Sequence, residues 1–266
     1  MIIDFHTHIF PDELAARAIA RLLDNIDETF RPVTDATLNG LLDYMVKSGV
    51  DISVIQPVIT KPTQFLTLNN WAAEIARSTS RIVAFGGIYP DTDDYRRDID
   101  YVAGLGLKGL KFHCEYQNFF VDEPKMLRIY DYALSRGLIV LHHAGFDPGF
   151  PPPFKSSPLR FARVADAMKG GVIVAAHLGG YGDWDDVERH LVGKNIYLDT
   201  SNGFEYFPQD QFLRIARAHG IDKILFASDS PWSDTKAEIE RLNALPLSDT
   251  EKELILGGNA RRLLGI

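Results

Sequence analysis

Met1-Ile2-Ile3-Asp4-Phe5-His6-Thr7-His8 opens the chain as a short apolar run that ends in histidines two residues apart. On a strand, alternate residues share a side, so the imidazoles of His6 and His8 reach toward one point, and Asp4 has the same parity. Seven further runs of this kind follow, near Ile52 (ISVIQPV), Ile82 (IVAFGGI), Leu107 (LKGLKFH), Leu138 (LIVLHH), Val172 (VIVAAH), Ile196 (IYLDT) and Lys223 (KILFAS). Their length and β-branched content are those of buried parallel strands. Between them, segments such as 14–23, 38–46, 71–75, 126–134 and 212–218 carry the apolar period of amphipathic helices. Asp122-Glu123-Pro124 is a helix opening and Ser135-Arg136-Gly137 a helix end; Gly49, Gly106 and Gly220 likewise stand just before a strand.

Strands alternating with helices about every 30 residues predict right-handed βαβ units, and eight of them in about 250 residues predict a (β/α)8 TIM barrel. The rival is an open doubly wound sheet, which a chain of this length also allows, although no G-x-G-x-x-G follows any strand. The tail 248–266 reads as two short extra C-terminal helices that distort the simple repeat, and no linker or repeat divides the chain, so residues 1–266 form one domain. Segments 115–122 and 145–157, aromatic and proline-rich respectively, both follow strands and belong at the mouth of the barrel.

Lys and Arg number 28 against 36 Asp and Glu, a net charge of −8, which opposes binding to phosphate backbones; nucleic acid is not an expected partner. The single cysteine, Cys114, cannot form an internal disulfide. The N-terminal residues lack the pattern of an export signal, and no run approaches the length of a membrane span. A cytoplasmic protein acting on a small molecule, with no membrane partner, is expected; oligomeric state is not legible.

The polar residues fall where a barrel would gather them. His143 follows the fifth run, His177 ends the sixth and Asp229 follows the eighth. Burying such groups together is costly unless they share a partner, and a divalent cation is the simplest one. His142 and His143 are adjacent, so only one faces the interior, and spacing does not choose between them. Lys111, His113 and Glu115 share one parity on the fourth run, where a lysine could anchor a substrate carboxylate or, if carboxylated, bridge two metals. Asp4 could hold a ligand imidazole from behind. His190 and His219 read as ordinary solvated residues.

Taken in order, I-D-F-H-T-H (3–8), K-G-L-K-F-H (108–113), H-A-G (143–145), A-H-L-G-G (176–180), Y-L-D-T-S (197–201), S-D-S-P-W (228–232) and L-G-G-N-A-R-R-L-L-G (256–265) resemble the amidohydrolase superfamily, and within it the amidohydrolase-2 type. The resemblance implies that His6, His8, His177 and Asp229 surround a divalent metal, most often zinc, with manganese an alternative. It selects His143 over His142, and it gives Asp229 the further task of taking a proton from bound water. Lys-Phe-His on the fourth run replaces the glutamate usual in nuclease relatives, which argues against a phosphodiesterase.

The expected function is a metal-dependent hydrolase acting on a small amide, lactone or other ester-like bond. A bound metal lowers the pKa of water to about 7. Asp229 would serve as general base, His177 or His143 would steady the developing oxyanion, and Lys111 or Arg160 would hold a carboxylate. Phe119, Phe120, Phe150, Phe154, Trp184 and Trp232 are candidates for an aromatic mouth. The alternative is a metal-dependent non-oxidative decarboxylase or hydratase acting on a carboxylated molecule, since the resembled families include both. A barrel that binds without turnover is the third reading.

Overall fold

Every one of the eight apolar runs forms a strand: β1 (Ile3–Thr7), β2 (Ile52–Ile55), β3 (Ile82–Ala84), β4 (Gly109–Phe112), β5 (Ile139–His142), β6 (Ile173–Ala175), β7 (Tyr197–Asp199) and β8 (Ile224–Leu225). The computed structural model describes residues 1–24, 31–168 and 170–266. All pairings are parallel, in two ladders, β1-β2-β3 and β4-β5-β6-β7-β8. Single bridges at Gly86–Leu110 and Thr7–Ser230 join the two ladders at both seams. Across the second seam Phe5 N donates to Phe226 O at 2.9 Å. The ring of strands is therefore a TIM barrel.

Helices fill the crossovers: α1 (Asp12–Leu23), α2 (Leu38–Ser48), α3 (Phe65–Ser78), α4 (Tyr95–Gly104), α5 (Cys114–Gln117), α6 (Pro124–Ser135), α7 (Pro158–Ala167), α8 (Trp184–His190), α9 (Gln209–His219) and α10 (Thr235–Ala244). None is long and apolar enough to cross a membrane. Pro124 occupies the first turn of α6, where its missing N–H costs nothing. The tail forms α11 (Asp249–Glu253) and α12 (Asn259–Leu264), with a π-helical turn over Leu254–Gly258 between them.

Two apolar layers result. One lies between strands and helices and includes Leu110, Val140, Leu198 and Ile224 with Met126, Ile129 and Phe161. The other is enclosed by the strands, with Ile3, Phe5, Val54, Phe85, Ile139, Leu141 and Val174, and is met by Ala260 and Leu264 of α12. Alternation along β5 thus sends Ile139 and Leu141 inward and Val140 toward the helices. Continued past the strand, that period turns His143 toward the interior and leaves His142 outside.

On β1 the alternation breaks, because the pairing with β2 shifts register between Asp4 and Thr7. Such a shift flips the side on which residues before and after it lie. Asp4 therefore does not stand behind a ligand imidazole. Its carboxylate accepts from Ser228 N (2.9 Å) and Ser228 Oγ (2.5 Å) and lies 3.3 Å from His6 N, which ties β1 to the loop after β8.

Two glycines with left-handed backbone separate two uses of that conformation. Gly49 (φ 76°) ends α2 with open space around the position a Cβ would take. Gly145 (φ 87°) passes against the next loop so closely that a Cβ would sit 2.2 Å from Tyr181 N and 2.5 Å from Gly180 C. It bridges to Tyr181 and so joins the loops that follow β5 and β6. Gly49→Ala is expected to cost about 1 kcal/mol, and Gly145→Ala about 3 kcal/mol or more because backbone must move. Thermal unfolding of both variants checks this, and equal losses would contradict the close approach at Gly145.

Candidate metal centre

The carboxyl ends of the strands deliver the polar residues to one face. His6 lies in β1 and His8 just beyond it, Lys111 in β4, His143 after β5 and Asp199 at the end of β7. His177 and Asp229 sit on turns past the strand ends, which fall at Ala175 and Leu225. Both have left-handed backbone, φ 57° and 65°, which no strand accommodates. Each such non-glycine residue costs about 1 kcal/mol or more, and strain of this kind concentrates at functional sites. Asp229 is fixed by its own N–H to His6 O at 2.9 Å, and His8 N bonds Ser230 O at 2.6 Å.

The hydrogen bonds behind the imidazoles determine what faces forward. His6 Nδ1 meets Asp199 Oδ2 at 3.1 Å, His8 Nδ1 meets Gln56 O at 3.0 Å, His177 Nδ1 meets Ser201 O at 2.9 Å, and His143 Nε2 meets Phe146 O at 3.2 Å. Each partner is a carbonyl or carboxylate oxygen and can only accept, so each of these nitrogens carries the ring's proton. The other nitrogen of every ring is left as an acceptor, and at His6 the Lys111 ammonium meets it at 2.7 Å.

Those lone pairs face one another in two pairs, and the His6, His8 and Asp229 ligand atoms all lie within 4.8 Å of one another. His6 Nε2 and His8 Nε2 are 3.1 Å apart, and His143 Nδ1 and His177 Nε2 are 3.0 Å apart. Asp229 Oδ1 lies 3.5 Å from His6 Nε2 and 3.3 Å from His8 Nε2. Acceptors held face to face require a cation or a proton between them. A proton is disfavoured, since burial pushes the pKa of His6 and His143 well below the ordinary imidazole value, with Lys111 adding to the effect at His6 and His113 at His143. Burial alone would raise Asp229, but its place beside His6, His8 and His177 outweighs that and holds the carboxyl below its ordinary range. Neutral imidazoles and an ionised carboxylate are the donor set of a divalent transition-metal site, and the residues fit one.

Lys111 and Asp199 complete the surroundings. Lys111 is buried with Nζ 2.7 Å from His6 Nε2, and burial draws its ammonium down to about 8 against the pull of Asp229 and Asp199. Asp199, to which the sequence reading gave no role, holds three parts of the site at once. Besides His6 it accepts from His177 N (3.0 Å) and Ser201 N (3.0 Å), and Ser201 Oγ also donates to it. Its place at the end of the seventh apolar run was the available signal.

Other sequence candidates lie elsewhere. His142 is packed between strand and helix, stacked on Phe112 at 5.1 Å with its Nδ1 4.0 Å from Cys114 Sγ. Glu115 accepts from Lys155 N and Nζ, both at 2.7 Å, and secures the proline-rich loop rather than facing the cavity. The strand ends at Phe112 and the chain turns into α5, so the alternation that grouped Glu115 with Lys111 and His113 stops there. Arg160 is held by Asp122 and lies over the Phe120 ring, which removes it as a carboxylate anchor. His219 is buried and bonds Ile196 O at 2.8 Å, so it is not the solvated residue expected.

A cavity of about 490 Å³ opens over the site. Of the aromatic residues expected at the mouth only Trp232 lines it; Phe10, Trp71, Tyr116, Phe146 and Tyr181 supply the rest of its ring surface. Phe119 is instead core, and Trp184 braces the site from behind, its Nε1 donating to His177 O at 3.2 Å.

The chain matches the amidohydrolase family over residues 3–266. Its fold is similar to that of 5-carboxyvanillate decarboxylase from Sphingomonas paucimobilis, with a TM-score of 0.75 at 17% identity over 100% of this chain and 99% of that one. An uncharacterized TIM-barrel protein from Bordetella bronchiseptica gives 0.80 at 20% identity over 99% and 98%. A manganese complex of 5-carboxyvanillate decarboxylase from Novosphingobium aromaticivorans gives 0.76 at 14% identity over 100% and 96%. No curated protein matches the chain.

Asp199→Asn replaces the acceptor behind His6 with a group that can present N–H to it, which disturbs the tautomer. Affinity for zinc or manganese, measured by chelator competition, is expected to fall about 10–100-fold with little change in folding. Unchanged affinity would remove Asp199 from the support of the site.

Proposed function

The chain belongs to the amidohydrolase family, and from that premise we propose that it is a metal-dependent non-oxidative decarboxylase of a small hydroxylated aromatic acid. The observation that carries this reading is Lys111: a buried ammonium beside the converging lone pairs, at the foot of a cavity walled by aromatic rings. A cation so placed suits a substrate carboxylate, while the rings suit an apolar body. Structural relatives that act on 5-carboxyvanillate and 2,6-dihydroxybenzoate support the same reading.

His6, His8, His143, His177 and Asp229 would hold the metal, zinc or manganese. When bound, it supplies positive charge to neighbouring substrate oxygens. The remaining work falls to the chain's own groups. Lys111 binds the carboxylate and sets the carbon that bears it near Asp229. Held ionised, Asp229 starts as a proton acceptor and takes the proton of a hydroxyl next to the carboxylate. It then returns that proton to the carboxylate-bearing carbon. The bond to the carboxylate breaks, its electron pair stays on the ring, and carbon dioxide leaves; the ring oxygen recovers a proton from solvent. His177, fixed by Ser201 and Asp199, steadies negative charge on oxygen.

A hydrolytic reading draws on one observation of its own, the position of Asp229 Oδ1 within 3.5 Å of both His6 and His8, where a base for water activation belongs. The two readings differ in product. Hydroxybenzoates converted with release of one carbon dioxide, and solvent deuterium at the vacated ring carbon, support decarboxylation; turnover confined to lactones or amides contradicts it.

Asp229→Asn is expected to keep the fold and lose at least about a hundredfold in turnover of the decarboxylated substrate. Retention of a tenth or more of the wild-type rate would take Asp229 out of the proton transfer.

A further inference from the structure

A second group in the cavity meets the spacing of a cation site: His113, His143 and Asp147 offer ligand atoms within 4.8 Å of one another. Its hydrogen bonding is of a different kind. His113 Nε2 lies 3.1 Å from Asp147 Oδ2, His113 Nδ1 faces the Tyr116 N–H at 3.5 Å, and Asp147 Oδ1 accepts from Gly149 N at 2.8 Å. Every one of these contacts pairs a donor with an acceptor, so His113 and Asp147 have no need of a cation, whereas His143, the third member, faces His177. The contrast with the four facing lone pairs separates two clusters that distance alone would treat alike.

What remains at Asp147 is unspent acceptor capacity. The residue is 7% exposed and lines the cavity, and no lysine or arginine pairs with it among the described residues. A carboxylate uses about four lone-pair positions when saturated, and the bonds to His113 and Gly149 take two of them. Burying such a group without further donors is unfavourable, and a ligand that brings one relieves the cost. The orientation is fixed. The His113 ring stacks on His143 at 4.3 Å and 20°, so the carboxylate sits one imidazole away from the lone-pair cluster.

We propose that Asp147, oriented by His113, binds a ring-borne hydrogen-bond donor of the substrate, a hydroxyl or amino group set apart from the reacting carboxylate. The inference rests on the aromatic-acid reading above and adds a selectivity element to it. Tyr116 and Phe146, which flank the dyad in the cavity wall, provide ring surface for the body of that substrate.

The test uses the manganese-loaded wild-type protein with Asp147→Asn and Asp147→Ala. Benzoate, the 2-, 3- and 4-hydroxybenzoates and the matching aminobenzoates are titrated by calorimetry, and metal content is measured on the same samples. The best hydroxy or amino acid is expected to bind wild type at least about tenfold more tightly than benzoate, and this margin is expected to fall below about threefold in both variants at unchanged metal content. Because the readout is a ratio within each protein, partial destabilisation does not imitate it. A margin that survives in the variants, or is absent from wild type, overturns the subsite; so does loss of metal with Asp147, which would make it a ligand. Wild type that binds none of these acids overturns both the subsite and the aromatic-acid reading, whereas equal binding of all of them overturns the subsite alone.

Discussion

Four imidazole lone pairs are held face to face in two pairs, and the rest of the molecule is arranged to keep them there. Each ring is locked from behind by an oxygen that can only accept, so none can turn its N–H inward to relieve the opposition. Facing acceptors about 3 Å apart in a buried site are unfavourable without a cation, and the folded chain is in this sense built around an ion. The same accounting separates the centre from the His113–Asp147 dyad, where donors and acceptors already match.

The fold produces this convergence through departures from its own regularity. A uniform barrel would offer strand-end side chains at fixed intervals, but the register shift in β1 and the left-handed backbone at His177 and Asp229 re-aim individual residues. Hydrogen bonds across the β1–β8 seam hold Asp229 and His8 in place, and Asp199 ties β7 to both His6 and His177. Gly145 lets the loops after β5 and β6 approach closely enough for His143 and His177 to meet. Catalytic geometry and local strain are therefore properties of the same few residues.

The barrel was legible because buried parallel strands leave continuous apolar runs, and all eight runs became strands. The polar residues that end those runs could be read in the same way. What could not be read depended on where alternation stops. Asp4 was assigned by parity across a register shift, and Glu115 by parity across a strand end, and both turn elsewhere. Alternation alone could not tell His142 from His143; the family resemblance selected His143, and the physical reason is visible only in β5, whose enclosed side carries Ile139 and Leu141. Asp147 lies in a loop whose path follows no periodic rule, and its pairing with His113 had no sequence signal. Aromatic residues near the mouth were equally ambiguous, since packing and lining call for the same residue types, and Trp232 alone of those expected lines the cavity.

Metal content per chain tests the central claim most directly. Untagged protein loaded with zinc or manganese and dialysed is expected to retain about one divalent ion per chain by plasma mass spectrometry, and His6→Ala is expected to lose it while remaining folded. A wild-type protein that holds no ion after such loading would contradict the account, and its opposed lone pairs would then require another explanation.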